Sequence, residues 1–221
     1  MTMLNTQDRT ERLRSALMEA GACLVGFADL SCLDANVTKG YSFGISFALQ
    51  YDLDVVDSLP HAELFLTMKA EIEEKAKKLY AITTELLNSW GYRHTRISSG
   101  VPANKLPDLR EELPQKTIAT LAGLGWIGKS TLLVSSDYGP RLRLGAILTD
   151  GPFQVETPVV LSNCNNCNRC VDACPVGAIK GANWSQGIDR ADLLDVRLCY
   201  DYFSQKNLCG LCFKACHIGR Q

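Results

Sequence analysis

CNNCNRCVDACP, at residues 164–175, is the stretch that decides the fold of the last third of the chain. Its cysteines are separated by two, two and three residues, and a proline follows the last of them. A second run begins at Cys199 and continues through Cys209, Cys212 and Cys216. Together the two runs hold eight of the ten cysteines in the chain. Closely spaced thiols of this kind predict a metal centre.

The first run matches C-x2-C-x2-C-x3-C-P, the ligand pattern of bacterial two-cluster ferredoxins. In that pattern three thiolates bind one 4Fe–4S cluster, and the fourth binds the other cluster. The sequence therefore predicts two clusters with interleaved ligands. The predicted ligands of cluster one are Cys164, Cys167, Cys170 and Cys216, and those of cluster two are Cys174, Cys199, Cys209 and Cys212.

His217 stands where the second run would usually have a proline. We expect the cluster to form all the same, because that proline shapes the backbone and binds no iron. Two other uses of the cysteines explain the pattern less well. A zinc ribbon would leave four of the eight cysteines without a role, and a disulfide framework needs an oxidising compartment that nothing in the sequence indicates.

The composition is that of an ordinary globular protein. The 221 residues suffice for one large domain or two smaller ones, and 46% are hydrophobic and 21% charged. The polar N-terminus has no apolar core of the signal-peptide type, and the longest apolar runs are strand-sized, so we expect a cytoplasmic protein without membrane spans. A formal net charge of −1 and the lack of a Lys/Arg cluster give no electrostatic sign of a nucleic-acid partner.

Hydrophobic periodicity predicts helices over residues 7–20, 61–90 and 190–196, and strands over residues 22–28, 41–49 and 92–98. In the long helix the predicted apolar stripe consists of Leu64, Met68, Ile72, Ala76, Leu79, Ile82 and Leu86. The predicted water-facing residues are Glu71, Glu73, Glu74, Lys75, Lys77 and Lys78. The composition of residues 99–116 is typical of an irregular loop, and that of residues 137–140 of a turn between strands.

Several reactive side chains are predicted to have no catalytic task. Cys23 and Cys32 lack partner spacing and are interpreted as core or loop thiols. His94 is interpreted as a structural histidine with satisfied hydrogen bonds. The carboxylates of Asp108, Glu111 and Glu112 are interpreted as solvated loop charges.

Residues 123–130 satisfy G-x4-G-K-S, the phosphate-binding loop pattern. That loop needs a strand before it and a helix after it, so that backbone N–H groups at the helix N-terminus face the phosphate. Here residues 131–136 look like a strand, and Pro140 marks a turn soon afterwards. We therefore expect no ATP or GTP site.

The residues AGLGWIGK at 122–129 and GAILTD at 145–150, followed by the two cysteine runs, resemble the epoxyqueuosine reductase family. Reductive dehalogenases are more distant relatives of that family. The resemblance implies an α+β protein. Residues 1–158 would form a nitroreductase-like α/β domain with a mixed sheet that binds cobalamin, and residues 159–221 a double 4Fe–4S ferredoxin-like module.

By the same resemblance, the glycine-rich stretch contacts cobalamin. The implied contacts are Gly123, Gly125, Trp126, Ile127, Gly128 and Lys129. Glycines allow close backbone approach to a large flat ligand, and Trp126 offers a face for packing. The family also places a catalytic aspartate shortly before the glycine stretch. Here the residues after Ile97 are Ser98 and Ser99, so the catalytic residue is left unassigned.

Three functions are compatible with these features. The main hypothesis is an electron-transfer oxidoreductase that reduces a corrinoid from Co(II) to Co(I), with cobalamin either bound to the chain itself or carried by a partner such as a methyltransferase or methionine synthase. The alternative is a cobalamin-dependent epoxyqueuosine reductase, for which tRNA would be the partner. The third is a ferredoxin-type relay without a corrin. The first two need a low-potential electron donor such as ferredoxin or flavodoxin.

Overall fold

The computed structural model describes residues 5–98, 111–206 and 208–220. Its helices are α1 (Thr6–Glu19), α2 (Ala35–Thr38), α3 (Leu53–Asp57), α4 (Ala62–Ser89), α5 (Gln115–Leu121), α6 (Arg169–Asp172), α7 (Arg190–Leu193), α8 (Val196–Lys206) and α9 (Leu211–Ala215). Its strands are β1 (Leu24–Asp29), β2 (Phe43–Gln50), β3 (His94–Arg96), β4 (Trp126–Ile127), β5 (Leu133–Val134) and β6 (Leu142–Thr149).

The main sheet has the strand order β1-β2-β6-β3, and each neighbouring pair runs antiparallel. β4 and β5 form a separate antiparallel hairpin. The predicted α+β class is confirmed. The implied mixed sheet is, in the part of the chain that the structure describes, antiparallel throughout, because β3 joins the free edge of β6 and runs against it.

The main core lies between one face of the sheet and the two long helices. Strands β1, β2 and β6 contribute Val25, Phe27, Ile45, Phe47 and Ile147, while α1 and α4 contribute Leu13, Leu17, Leu79 and Leu87. All nine side chains are buried. Alternate strand residues point to opposite faces of a sheet, so the residues between them face the other layer.

That second layer is α5, which packs unusually close to the sheet. A Cβ atom at Gly26 would lie 2.4 Å from the carbonyl oxygen of Ala122, and one at Gly44 would lie 2.7 Å from the Ile118 side chain. Larger residues at either position would push α5 outwards. The two glycines therefore fix the position of α5, which forms one wall of the cavity described below.

The predictions for α1, β1, β2, β3 and α4 are confirmed to within a few residues at each end. Gly91, with φ of 78°, ends α4 as expected. The stripe on α4 is wrong at its first residue: Leu64 is 56% exposed, because the neighbouring Phe65 makes the contact with Tyr51 instead. Met68 is buried in the core, as predicted.

Two helices go beyond the predictions. α5 occupies the last two residues of the expected loop and the five residues before the glycine-rich stretch, and α8 continues beyond the expected short helix. The division at residues 158 and 159 stays a prediction. Leu208 and Phe213, from the cysteine-rich region, pack into the main core. Within the described residues, no helix is both long enough and apolar enough to cross a membrane.

Glu73 is only partly exposed, at 32% of its side chain, because it pairs with the sheet, which the prediction for α4 does not include. Its carboxylate accepts two hydrogen bonds from the buried guanidinium of Arg143 on β6, at 2.5 and 2.8 Å. These hydrogen bonds lower the pKa of Glu73 below its ordinary value. The pair ties α4 to the middle of the sheet and satisfies a charge that burial would otherwise penalise.

Replacing Glu73 by Gln should therefore lower the free energy of unfolding by about 2–3 kcal/mol, because the buried Arg143 loses its compensating charge. The matched control is Glu74→Gln, since Glu74 pairs only with the exposed Lys77 and should contribute less than about 1 kcal/mol. Urea denaturation at neutral pH measures both. The Glu73 contribution is present above the pKa of a free carboxyl and is lost as the pH falls through the lowered folded-state pKa, so the difference between wild type and Glu73→Gln should shrink in acid.

Candidate metal centre and adjoining cavity

The eight predicted ligands are free thiols, and the structure brings them together as two neighbouring groups of four. Cys164, Cys167, Cys170 and Cys216 line one cavity of about 290 Å³, which we call the cysteine cavity. Other residues of its wall include Gly128, Lys129, Ser130 and His217. Burial, followed by the neighbouring thiols Cys164, Cys216 and Cys167, raises the pKa of Cys170 to about 11.

The other four cysteines influence one another in the same way. Burial, followed by neighbouring thiols that include Cys199, Cys209 and Cys174, raises the pKa of Cys212 to about 12. Burial, then Cys174 and Cys209, also raises the pKa of Cys199. Both groups therefore resist accumulating negative charge by themselves. Bound iron would supply the positive charge that lets all the thiols ionise.

The donor sets fit clusters. Among the described residues, no three Cys, His, Asp or Glu side chains converge on the position of a single ion. A 4Fe–4S cluster does not need such convergence, because each cysteine binds a different iron. The grouping agrees with the interleaved ligand assignment, which stays a prediction.

Cys216 reaches the first group because the C-terminal segment is held against the sheet domain. The guanidinium of the fully buried Arg141 donates hydrogen bonds to the carbonyl oxygens of Cys216, at 3.1 Å, and Ile218. Arg220 makes a two-point ion pair with Asp57 at 2.6 and 2.8 Å. These contacts fix the backbone on both sides of the last cysteine.

His217 faces the cysteine cavity, at the position where the ferredoxin pattern has proline. Its Nδ1 lies 3.9 Å from Sγ of Cys167. The backbone of Cys216 is extended, with φ of −67° and ψ of 127°. A proline is therefore not needed to turn the chain away after the last cysteine.

The segment that imitates a phosphate-binding loop is a β-hairpin. Its turn is closed by a hydrogen bond of 2.8 Å from Thr131 N to Gly128 O, and by one of 2.9 Å from Gly128 N to Leu132 O. β5 follows directly, as predicted, so the turn does not lead into a helix. The structural context of a nucleotide site is missing here.

A larger cavity of about 590 Å³ lies on the other side of this hairpin. We call it the large cavity. Its walls are α5, through Lys116, Thr117 and Thr120; the hairpin, through Ile127 and Thr131; and the segment 184–193, through Trp184, Gln186 and Arg190. The volume is typical of small-molecule sites. The hairpin turn is thus a shared wall. Ile127 and Thr131 line the large cavity, while Gly128, Lys129 and Ser130 between them line the cysteine cavity.

The six residues that the resemblance assigns to cobalamin divide between different places. Ile127 lines the large cavity, and Gly128 and Lys129 line the cysteine cavity. The remaining three, Gly123, Gly125 and Trp126, line neither. At Gly125 a Cβ atom would lie 2.2 Å from the carbonyl oxygen of Val134, so this glycine allows the hairpin strands to meet. Cobalamin contact at these positions stays a prediction.

Lys129 is buried, and its Nζ donates a hydrogen bond of 2.9 Å to Oδ1 of Asn168, just before α6. This contact brings a cation to the wall of the cysteine cavity. Trp126 is also buried, and its indole nitrogen has no hydrogen-bond acceptor among the described residues. Its main contribution in the structure is packing.

The most informative residues of the large cavity are ones that sequence reasoning missed. Lys116, Thr117 and Thr120 lie on the unpredicted α5. Pro114 directly before this helix, and the helical spacing of Ile118, Leu121 and Ala122, are the signals that could have revealed it. Trp184, Gln186 and Arg190 come from a segment without any motif.

The predicted bystanders behave as expected where the structure describes them. Cys23 is removed from the clusters, and its thiol donates to the carbonyl oxygen of Ala48 at 3.3 Å. Nε2 of His94 lies 3.1 Å from Oδ1 of Asn88. Asp108 lies outside the described residues. Glu112 is exposed, as predicted, and Glu111 is half-buried; both line the large cavity.

Comparison with known proteins supports this site. A family model described as a 4Fe-4S dicluster domain matches residues 163–219. The epoxyqueuosine reductase of Listeria monocytogenes is 35% identical over 108 residues, which cover 46% of this chain and 26% of the relative. That of Lactococcus garvieae is 30% identical over 170 residues, which cover 67% of this chain and 46% of the relative. The resemblance to epoxyqueuosine reductases is confirmed. In these two matches the chain spans only about a quarter to a half of the relative's length.

Solved structures show the same fold. A catabolic reductive dehalogenase superposes with a TM-score of 0.76 at 18% identity, covering 99% of this chain and 33% of the dehalogenase. An epoxyqueuosine reductase in complex with a modified tRNA stem loop superposes with a TM-score of 0.63 at 17% identity, covering 95% of this chain and 65% of the reductase. At such identities the likeness shows the fold alone.

These comparisons correct the main functional hypothesis. The prediction that the chain reduces a corrinoid for a partner protein is wrong, because the curated relatives are epoxyqueuosine reductases. That hypothesis depends on the missing aspartate near Ser98. The lack of this one acid does not by itself exclude a reaction on a substrate. The relatives support the alternative hypothesis instead.

Replacing Cys216 by Ser should remove one of the two clusters, and the lost cluster should be the one held by Cys164, Cys167 and Cys170. Iron content should fall from about eight to about four per chain after anaerobic reconstitution. Electron paramagnetic resonance of the reduced protein distinguishes the clusters. Cys32→Ser is the control, since Cys32 is exposed and outside both groups. Survival of the first cluster with loss of the second would contradict the assignment.

Burial is the main reason that the pKa of Lys116, in the large cavity, falls from 10.5 to about 8. Between these values the unfolded chain binds more protons than the folded one, so this lysine makes stability rise with pH across that window. Wild type should gain up to about 3 kcal/mol in unfolding free energy relative to Lys116→Met between about pH 7.5 and about pH 10.5. Urea titrations of both proteins at the two pH values measure the difference. An unchanged difference would show that the folded-state pKa is ordinary.

Proposed function

We propose that this chain is a cobalamin-dependent reductase that removes the epoxide oxygen of epoxyqueuosine in tRNA. One structural observation carries the proposal: two cavities share the hairpin turn as a wall, and one of them is lined by four thiols. The curated relatives supply the reaction class.

The two cavities would have different roles. The eight cysteines would hold the clusters, and the large cavity would take the reacting part of the cobalamin and the substrate. One structural neighbour, a reductive dehalogenase, is described as performing B12-dependent dehalogenation. When bound, cobalamin would supply a cobalt centre that exchanges single electrons and performs the reduction.

The shared wall is thin at Gly128. A Cβ atom at this position would lie 3.6 Å from Sγ of Cys164, so the backbone of the turn lies close to this cysteine, and 2.8 Å from the Val134 side chain. This closeness would keep the path of an electron from the cysteine cavity to the large cavity short. The nearby Lys129 ammonium would offset part of the negative charge of the thiolates.

The lining of the large cavity combines apolar surface with a few polar groups. Ile127, Trp184 and Leu193 would exclude water from the reacting atoms, while Lys116 on α5 and Gln186 and Arg190 on the segment 184–193 carry donor groups. A whole cobalamin exceeds about 590 Å³, so part of it would lie outside this volume. A low-potential one-electron donor, such as a ferredoxin or flavodoxin, would supply the electrons.

The direct test uses anaerobically reconstituted protein with cobalamin, a chemical low-potential reductant and a tRNA stem loop that carries epoxyqueuosine. Mass spectrometry of the nucleosides should show loss of one oxygen atom and formation of queuosine. Complementation of a strain that lacks epoxyqueuosine reductase is the test in cells. Unchanged epoxyqueuosine with protein that contains both clusters and cobalamin would overturn the proposal.

Filling the large cavity should block cobalamin binding and leave the clusters intact. Thr117→Trp places an indole in the cavity, and no hydrogen bond of the Thr117 side chain is lost within the described residues. The dissociation constant for cobalamin should rise about tenfold or more, because the added volume has to displace the ligand. Thr67→Trp, on the exposed face of α4, is the matched control. Equal affinity in both variants, measured by absorbance titration, would place cobalamin elsewhere.

A further inference from the structure

Lys116 is a cation in the wall of the large cavity. It is the second residue of α5, its side chain is partly withdrawn from water, and it lines the cavity opposite α7. Its Nζ donates one hydrogen bond, of 2.8 Å, to the carbonyl oxygen of Thr131 in the hairpin turn. The amine is thus held in place at the shared wall.

The hydrogen-bonding capacity of this amine is not exhausted. A lysine ammonium has three N–H donors. Among the described residues, Lys116 makes only the bond to Thr131, and no carboxylate lies within ion-pair distance. Two donors are therefore available to a molecule in the cavity. Polar groups withdrawn from water normally have partners, and in this cavity wall the partner can be water or a bound molecule.

The charges around Lys116 favour proton release. Burial is the strongest influence that lowers the pKa of Lys116 to about 8, and Arg190 on α7 lowers it further, while Glu111 opposes them. Glu112 also lines the cavity from the side of Glu111. Gln186, on the segment before α7, also lines the cavity, and its side chain is uncharged. An acid that gives up its proton near neutral pH is the most effective kind of general acid.

We propose that the Lys116 ammonium donates a proton to the oxygen that leaves the substrate in the large cavity. This role rests on the proposed function. It would supply the acid that the sequence does not provide near Ser98, where no carboxylate stands.

Atoms and electrons balance in this step. Two electrons from a low-potential one-electron donor enter the epoxide, both of its C–O bonds break, and a C=C bond forms. The oxygen leaves as water after it takes one proton from Lys116 and one from solvent. The neutral amine then regains a proton from solvent. The substrate is reduced and the electron donor is oxidised.

The experiment compares wild type with Lys116→Gln and Lys116→Arg. The amide of Gln keeps a donor for Thr131 but has no proton to release, and Arg keeps both the charge and the hydrogen bond but is too weak an acid. All three proteins are reconstituted with clusters and cobalamin. The single-turnover rate of epoxyqueuosine reduction is measured on the tRNA stem loop from about pH 6 to about pH 10, a range that spans the lowered pKa of Lys116.

The wild-type rate should fall above about pH 8, as Lys116 loses its proton. In Lys116→Gln the maximal rate should be about 10²–10⁴-fold lower, and the alkaline decline should disappear. Lys116→Arg should also be slow and independent of pH in this range. Iron content, cobalamin affinity and KM should stay within about twofold of wild type, because the variants keep the contact that a structural role would need.

Three results would overturn the assignment. One is a Lys116→Gln rate within a few-fold of wild type with the same pH profile. Another is a matching loss of cobalamin affinity in both variants, which would give Lys116 a structural role. The third is loss of the alkaline decline in Glu111→Gln but not in Lys116→Gln, which would assign the proton to the carboxyl.

Failure of the proposed function gives a different pattern. Wild type that contains both clusters and cobalamin but leaves epoxyqueuosine unchanged would overturn the proposed function, and this role with it. Active wild type with an unaffected Lys116→Gln would overturn the role of Lys116 alone. Nuclear magnetic resonance of ¹⁵N-lysine-labelled protein adds a readout without turnover, since a side-chain titration near pH 8 should vanish in Lys116→Gln.

Discussion

The cost of ionising closely spaced, partly buried thiols is the constraint on which the cysteine-rich region depends. Four sulfur atoms must lie close enough to share a cluster, yet burial and mutual repulsion raise the pKa of several of them. The polypeptide has to hold them there before iron compensates the charge. Arg141 contributes most visibly, because its buried guanidinium holds the backbone carbonyl of Cys216 beside a cysteine run that lies far earlier in the chain. The last cysteine is thereby positioned by the sheet domain and not by its own helix.

The position of the hairpin between the two cavities depends on how α5 packs on the sheet. α5 lies close to the sheet because Gly26 and Gly44 have no side chains, and the hairpin packs against α5 through Ile127. The position of the turn follows from this packing. Gly128 then borders the cysteines, while Thr131 borders the large cavity. Substitutions on the sheet face far from either cavity would therefore move their shared wall.

The sequence predicts well what depends on local spacing, and poorly what depends on distant packing. The cysteine runs and α4 follow from patterns within a few turns of chain; the structure confirms α4, and a dicluster family model matches the cysteine region. The pattern of α4 misses the ion pair of Glu73, because its partner Arg143 is seventy residues away and no periodicity connects them. The large cavity is invisible in the sequence for the same reason: Lys116 and Trp184 come from segments without a motif, and they meet only after α5 packs on the sheet. In the sequence, the glycines of residues 122–128 suggest contact with a ligand. In the structure, Gly125 instead allows two strands to pack closely.

An acid made from a lysine has physical consequences that a carboxyl group would not have. Each electron that reaches a low-dielectric cavity adds negative charge, and a nearby ammonium stabilises that charge before it gives up its proton. A carboxylic acid is neutral before transfer and leaves a negative charge behind. Lys116 starts positive and ends neutral, so proton donation in the proposed reaction leaves no new anion beside the reduced centre. Arg190, which helps to weaken the hold of Lys116 on its proton, stays charged throughout and continues to favour an electron-rich cavity. In this arrangement the electrostatic demands of electron transfer and of proton transfer favour the same pair of cations.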